Sequence, residues 1–234
     1  MKSYDLIIKN AQIHTMDEDR KVYAKGIIGI EGEKITLIKE MNELTPEELQ
    51  ECEGAGRVID AEGKVVFPGF IDTHIHIFQS FLKGLGADHR LIEWLNLSAL
   101  PYGQYMTPHQ HELAAQLACM EAIKSGCTTM SEFFYTNQNS ELAHSCIEGM
   151  VSTGIRSVFI RTFQDTGEEY GMPKCFLEPV GKAMKEVDAL KKAYKENDML
   201  SIWTGPDVTW STTKEGYQEM LEYCLNENVR YSMH

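Results

Sequence analysis

From Val65 onward the chain alternates, and that alternation limits the possible fold more than any other feature. The apolar run VVFPGFIDTHIH is followed by a long insertion and then by TPHQHELAAQLACMEAIKSG, in which Leu113, Leu117 and Met120 recur at helical spacing. Thr107 and Gln110 match a capping box at the start of that helix, and Gly126 supplies its stop. Next come CTTMSEFF as a strand, a helix over 140–153 ending at Gly154, and IRSVFIR as a strand. A helix with Val180, Met184, Val187 and Tyr194 on one side precedes the strand SIWTGPD. A last helix carries Tyr217, Met220, Leu221 and Cys224 on one face, and VRYSMH ends the series. Such repetition builds a parallel sheet through right-handed crossovers. Five strands and four helices are expected from this pattern. The stretch 67–234 is shorter than the roughly 200–250 residues of a closed (β/α)₈ barrel. It also stops on a histidine within an expected buried strand, so the first five strands of such an α/β barrel are expected rather than an open five-stranded sheet.

Residues 1–66 have another texture. The runs YDLIIKNAQIHTMD, KGIIGIEGEKITLIKE and RVIDAEGKVVF are rich in Ile and Val. Asn10, Gly26, Gly32, Gly54, Gly56 and Gly63 punctuate them and read as turns between short antiparallel strands. TPEEL predicts one helical interruption, with Thr45 as cap, Pro46 in the first turn and Glu48 closing a capping box. The expected organisation is a small β-domain over 1–66 and a barrel domain over 67–234.

Composition excludes some partners. A formal net charge of −13 opposes nucleic acid and anionic membrane, since phosphate attraction needs an excess of Lys and Arg. Six cysteines without a CxxC pair read as free thiols of a reducing compartment. The opening MKSYDLIIKNAQIH is not a signal peptide, and no stretch approaches the about 18–20 apolar residues of a membrane span. A cytoplasmic protein is expected.

Two His-x-His pairs then ask for a chemical reading. Residues i and i+2 of a strand point to the same side, so His74 and His76 project together from the C-terminal end of theirs and could share a metal. On a helix the same spacing diverges, so His109 and His111 cannot chelate one ion and read as a solvated helix start. Taken alone, HIH supports ligation and hydrogen-bonded core packing equally. The preceding FPGFIDT favours ligation, because Pro68-Gly69 marks abrupt entry into a strand and Asp72 is polar within an otherwise apolar run.

PGFIDTHIHIFQSFLKGLGADHRLIEWL, EAIKSGCTTMSEF and NAQIHTMDEDRKVYAKGIIGIEGEKITLI together resemble the amidohydrolase superfamily. The resemblance is nearest to the branch of cytosine, guanine and adenosine-derivative deaminases and triazine hydrolases. It implies a (β/α)₈ barrel with a small β-sandwich, and one divalent metal ion, zinc first and iron second. It assigns His74, His76 and His234 as metal ligands, and it places the general acid–base glutamate beyond residue 234. The implied reaction is hydrolysis of a carbon–nitrogen bond, most simply deamination of an N-heterocycle such as a purine, pyrimidine or triazine. The expected partners are that small molecule and further copies of the chain in a homo-oligomer. The alternative is a non-catalytic half-barrel that binds a metal or a partner chain.

Binuclear relatives carry a lysine at the end of strand 4. SIWTGPD has none there, so a mononuclear site is expected. Gly103 and Asp207 stand where members acting on adenosine derivatives are expected to carry Glu and His, which weakens a nucleoside reading. Asp207 could accept hydrogen bonds from a ring N–H or amino group, or could cap its loop. Arg161 matches a substrate-contacting arginine, with a surface ion pair as the competing reading. Gln79 and Trp94 could line the pocket, although Trp94 within LIEWL also suits a core position. Met172, Met184, Met199, Met220 and Met233 read as core filler, and EEYGMPKCFLEP as a solvent-facing loop.

Overall fold

In the computed structural model, which describes residues 4–234, the Ile- and Val-rich runs of the first segment pair into one sheet. Strands β1 (Leu6–His14), β2 (Val22–Glu31) and β3 (Lys34–Glu40) form an antiparallel meander. Helix α1 (Pro46–Glu53) then carries the chain back, so that β4 (Arg57–Asp60) and β5 (Val65–Val66) both join β1 in parallel. The expectation of purely antiparallel strands is corrected here, because a helical return brings the next strand in with the same direction. Together these strands form a single five-stranded sheet. Thr45 and Glu48 make the anticipated capping box of α1. Asn10 is not a turn residue. It sits in the left-handed region, at φ 63°, at an irregularity within β1, with its amide donating to Asp60 at 3.0 Å.

The chain separates into two compact units, Met1–Pro68 and Gly69–His234. The run VVFPGFIDTHIH is divided between them, its first two valines forming β5 and Phe70–Ile75 forming β6. In the second unit β6, β7 (Cys127–Phe134), β8 (Arg156–Phe163) and β9 (Leu200–Pro206) lie in parallel, each beside its sequence neighbour. The insertion after β6 folds as a 3₁₀ segment (Ile77–Leu82) and then α2 (Leu91–Trp94), a π turn (Leu95–Ala99) and α3 (Leu100–Gly103). Helices α4 (Pro108–Lys124), α5 (Ser140–Ser152), α6 (Val180–Ala193) and α7 (Lys214–Glu227) alternate with the strands. α4 carries the Thr107–Gln110 box.

Strand alternation divides the sheet's side chains between two faces. Met130, Phe134, Phe159 and Phe163 pack towards the helices. Thr129, Ser131, Val158 and Ile160 line an open cavity of about 620 Å³ on the other face. The expected fifth strand is reduced to one bridge between Tyr231 and Thr204. The amide of Thr204 bonds the Arg230 carbonyl, and the amide of Ser232 bonds the Thr204 carbonyl. Among the described residues the ladder extends no further. No helix among them is long and apolar enough to cross a membrane.

Candidate metal centre

Three histidines of the second unit meet beyond the C-terminal ends of β6 and β9. His74 lies in β6, and His76 follows that strand directly, with extended backbone (φ −113°, ψ 92°). The segment bridged to β9 brings His234 to the same place. Nε2 of His234 lies 3.1 Å from Nε2 of His74 and 3.2 Å from Nε2 of His76. One ring nitrogen from each of the three falls within 4.8 Å of the others.

The second ring nitrogens of His76 and His234 are held by backbone carbonyls. Nδ1 of His76 faces the Phe133 carbonyl at 2.9 Å, and Nδ1 of His234 faces the Asp207 carbonyl at 2.8 Å. A carbonyl oxygen only accepts, so both Nδ1 atoms carry the hydrogen, and in the neutral rings both Nε2 atoms are bare lone pairs. Two acceptors 3.2 Å apart cannot satisfy each other. A cation between them can. Donors held at about 2.0–2.1 Å around a tetrahedral ion are separated by roughly 3.3 Å, which the two spacings to His234, 3.1 and 3.2 Å, approach. A shared proton is opposed by burial, which with the neighbouring imidazoles drives His76 down to about 4 and lowers His74 as well. The donor set therefore fits a divalent ion, for which neutral imidazole is the binding form.

Beside the histidines lies a pocket of about 260 Å³, lined by His76, His234, Gln79, Trp94 and Asp207 together with residues that include Tyr135 and Trp210. Gln79 is oriented by its amide donating to the Tyr135 hydroxyl at 2.9 Å, which leaves its carbonyl oxygen uncommitted to that bond. Trp94 donates its ring N–H to the Leu85 carbonyl at 2.9 Å and so offers the pocket ring surface only. Asp207 closes β9 and is buried. Burial pushes its carboxyl upwards while His234 and the neighbouring Gln164 and Ser211 oppose the shift.

Arg161 is not brought to this pocket, which corrects its expected role. It shares the helix-facing side of β8 with Phe159 and Phe163, is 1% exposed, and is paired with Glu178 and Glu186. Glu178 comes from EEYGMPKCFLEP, whose Met172 and Phe176 are also buried, so that stretch is not simply a solvent-facing loop. Met172 belongs to a buried apolar cluster with Phe78 and Phe176 and also lines the pocket. His111 is likewise buried at 1%, against Phe78 and Phe134, whereas the side chain of His109 is 75% exposed. Residue identity alone did not mark Tyr135 or Trp210, although both follow strand ends, where barrel sites gather. Gly205 also escaped notice. A Cβ there would stand 1.8 Å from the Ser232 carbonyl oxygen, so the segment bearing His234 can cross β9 only over a glycine.

The model of the amidohydrolase family matches residues 65–234. The chain belongs to the amidohydrolase family. Across 96% of its length the chain is 27% identical to a 5-methylthioadenosine/S-adenosylhomocysteine deaminase of Bacillus cytotoxicus, of which it covers 48%. The chain thus spans about half the length of the curated relatives it matches. The fold is shared with atrazine chlorohydrolase of Arthrobacter aurescens, a structure complexed with zinc. That match has a TM-score of 0.80 at 20% identity and covers 98% of this chain and 52% of the other. It is also shared with guanine deaminase of C. acetobutylicum, solved with bound guanine, with a TM-score of 0.79 at 17% identity, covering 97% and 52%.

Proposed function

We propose that this chain supplies the metal-binding and substrate-binding front of an aminohydrolase that cleaves a carbon–nitrogen bond of an N-heterocycle. In this reading the sheet β6–β9 opens a (β/α)₈ barrel, and the sheet β1–β5 is one part of a β-sandwich. The observation that carries the reading is the pair of lone pairs on His76 and His234, fixed by backbone carbonyls and aimed at one another. His74, His76 and His234 hold one divalent ion, zinc first. When bound, that ion supplies Lewis-acid activation of water near neutral pH.

The chain's own residues do the rest of the binding. Trp94, Trp210 and Tyr135 give the pocket aromatic walls suited to a flat ring. The Gln79 carbonyl and the Asp207 carboxylate are acceptors, so they select a ring that presents N–H or amino hydrogens. The deaminase relatives and the guanine-bound neighbour support that class of substrate.

The chain, stripped with a chelator and titrated with zinc, is expected to take up one equivalent, and His74→Ala and His76→Ala are each expected to lower the affinity by at least about 10-fold. Uptake indifferent to both substitutions would remove the assignment. The zinc-loaded chain is then titrated with aminopurines, aminopyrimidines and aminotriazines, with tryptophan quenching as the readout. Asp207→Ala is expected to weaken binding of the preferred ring about 10-fold, the scale of one charged hydrogen bond. Saturable binding by none of the three classes would sink the heterocycle reading.

A further inference from the structure

The buried carboxyl of Glu132 has no place in the chemistry above. Its side chain is fully buried, and it shares one face of β7 with Met130 and Phe134, which belong to the apolar layer beneath the helices. Cys119 and Cys146 occupy the same layer. One carboxyl oxygen, Oε1, has no hydrogen-bond partner. The other, Oε2, accepts from the Ile77 amide at 2.6 Å. Sealing a carboxyl in such a layer costs several kcal/mol, and a leucine would fill the space without that cost. What the carboxyl gains in return is the single bond to Ile77.

That bond falls where the strand ladder fails. Asp72 pairs with Met130 but Ile75 pairs with Glu132, so β6 carries one extra residue across Thr73 and His74. Bulges of this kind re-aim side chains and end regular pairing. Beyond Ile75 the chain turns at His76 into the 3₁₀ segment, whose first amide, that of Ile77, would otherwise be an orphan donor. Two consecutive residues of β7 therefore grip two consecutive residues after β6. The Phe133 carbonyl holds the His76 ring, and the Glu132 carboxyl holds the peptide that follows it.

We propose that Glu132 is a positioning residue: its carboxyl fixes the peptide plane between His76 and Ile77 and so aims the His76 imidazole at the shared centre. This rests on the metal reading given above. Side chains outside the ligand set that orient ligands in this way change metal affinity by about 10–100-fold when removed.

The test compares Glu132→Leu, Glu132→Met and Glu132→Gln in the whole chain by zinc affinity, urea unfolding and hydrogen exchange at the Ile77 amide. The two apolar variants are expected to bind zinc about 10–100-fold more weakly while matching or exceeding the stability of the parent. Their Ile77 amide is expected to exchange faster. Glu132→Gln, whose amide oxygen can accept the same bond, is expected to restore both affinity and protection. Unchanged affinity in the apolar variants, or affinity lost only in step with stability, would overturn the inference. If the parent itself bound no zinc, the metal reading would fall instead. Ile77 exchange would then decide the positioning role alone, with exchange in the apolar variants equal to that of the parent overturning it.

Discussion

His111 lies between the rings of Phe78 and Phe134, and its Nε2 finds no partner among the described residues. Burial drives its pKa down to about 4, so the ring is neutral when folded. Because the folded value lies below the ordinary value of 6.5, the contribution to stability is complete above that pH. It is lost as pH falls from there towards 4, since only the unfolded ring takes up a proton readily. Relative to His111→Leu, the parent is expected to lose about 2 kcal/mol between pH 7 and pH 5, read from urea midpoints at each pH. Equal losses in both proteins would contradict this. The sequence separated the HxH pairs correctly by backbone type, because i and i+2 share a side only on a strand. It could not separate His109 from His111, since which face of α4's first turn meets Phe78 and Phe134 is decided by packing.

Helix starts were the most legible elements. The boxes at Thr45 and Thr107 use residues three apart and need no tertiary partner. Arg161 was not legible in the same way. Its position at a strand end suggested the pocket, yet alternation from Phe159 and Phe163 sends it to the helix side. The last strand was overestimated for a related reason. VRYSMH has strand composition, but pairing is a property of two chains of backbone, and here only Tyr231 finds a bridge. Gly205 controls that contact. Gly205→Ala is expected to displace residues 230–234, because the new methyl would meet a backbone oxygen at 1.8 Å rather than a yielding side chain. Zinc titration is expected to show a loss at least as large as that of His74→Ala, while near-ultraviolet signals of the remaining sheet persist. Affinity equal to the parent would show that the segment has another route to its place.

Across the whole molecule, the parallel order of β6–β9 followed from simple alternation, whereas the parallel return of β4 and β5 onto β1 did not. A hairpin is a local event, but a return through α1 depends on where a distant edge is free. The candidate centre shows the same division. His74 and His76 are neighbours along the chain, while His234 reaches His74 across a sequence separation of 160 residues, and only the family resemblance singled it out. An ion on all three would bind the folded form alone. At a zinc concentration of about 100 times the dissociation constant it is expected to stabilise the fold by about 2.7 kcal/mol, measured as a midpoint shift that EDTA reverses. No shift would show that the three rings do not act as one site.

That separation also bears on the order of events as the chain folds. The contact between His74 and His234 spans 160 residues and needs β9 in place, so the three-histidine site is expected to close after the sheet has formed. Zinc would then act as a clasp fastened last, slowing the opening of the finished sheet while leaving the rate of its assembly almost untouched.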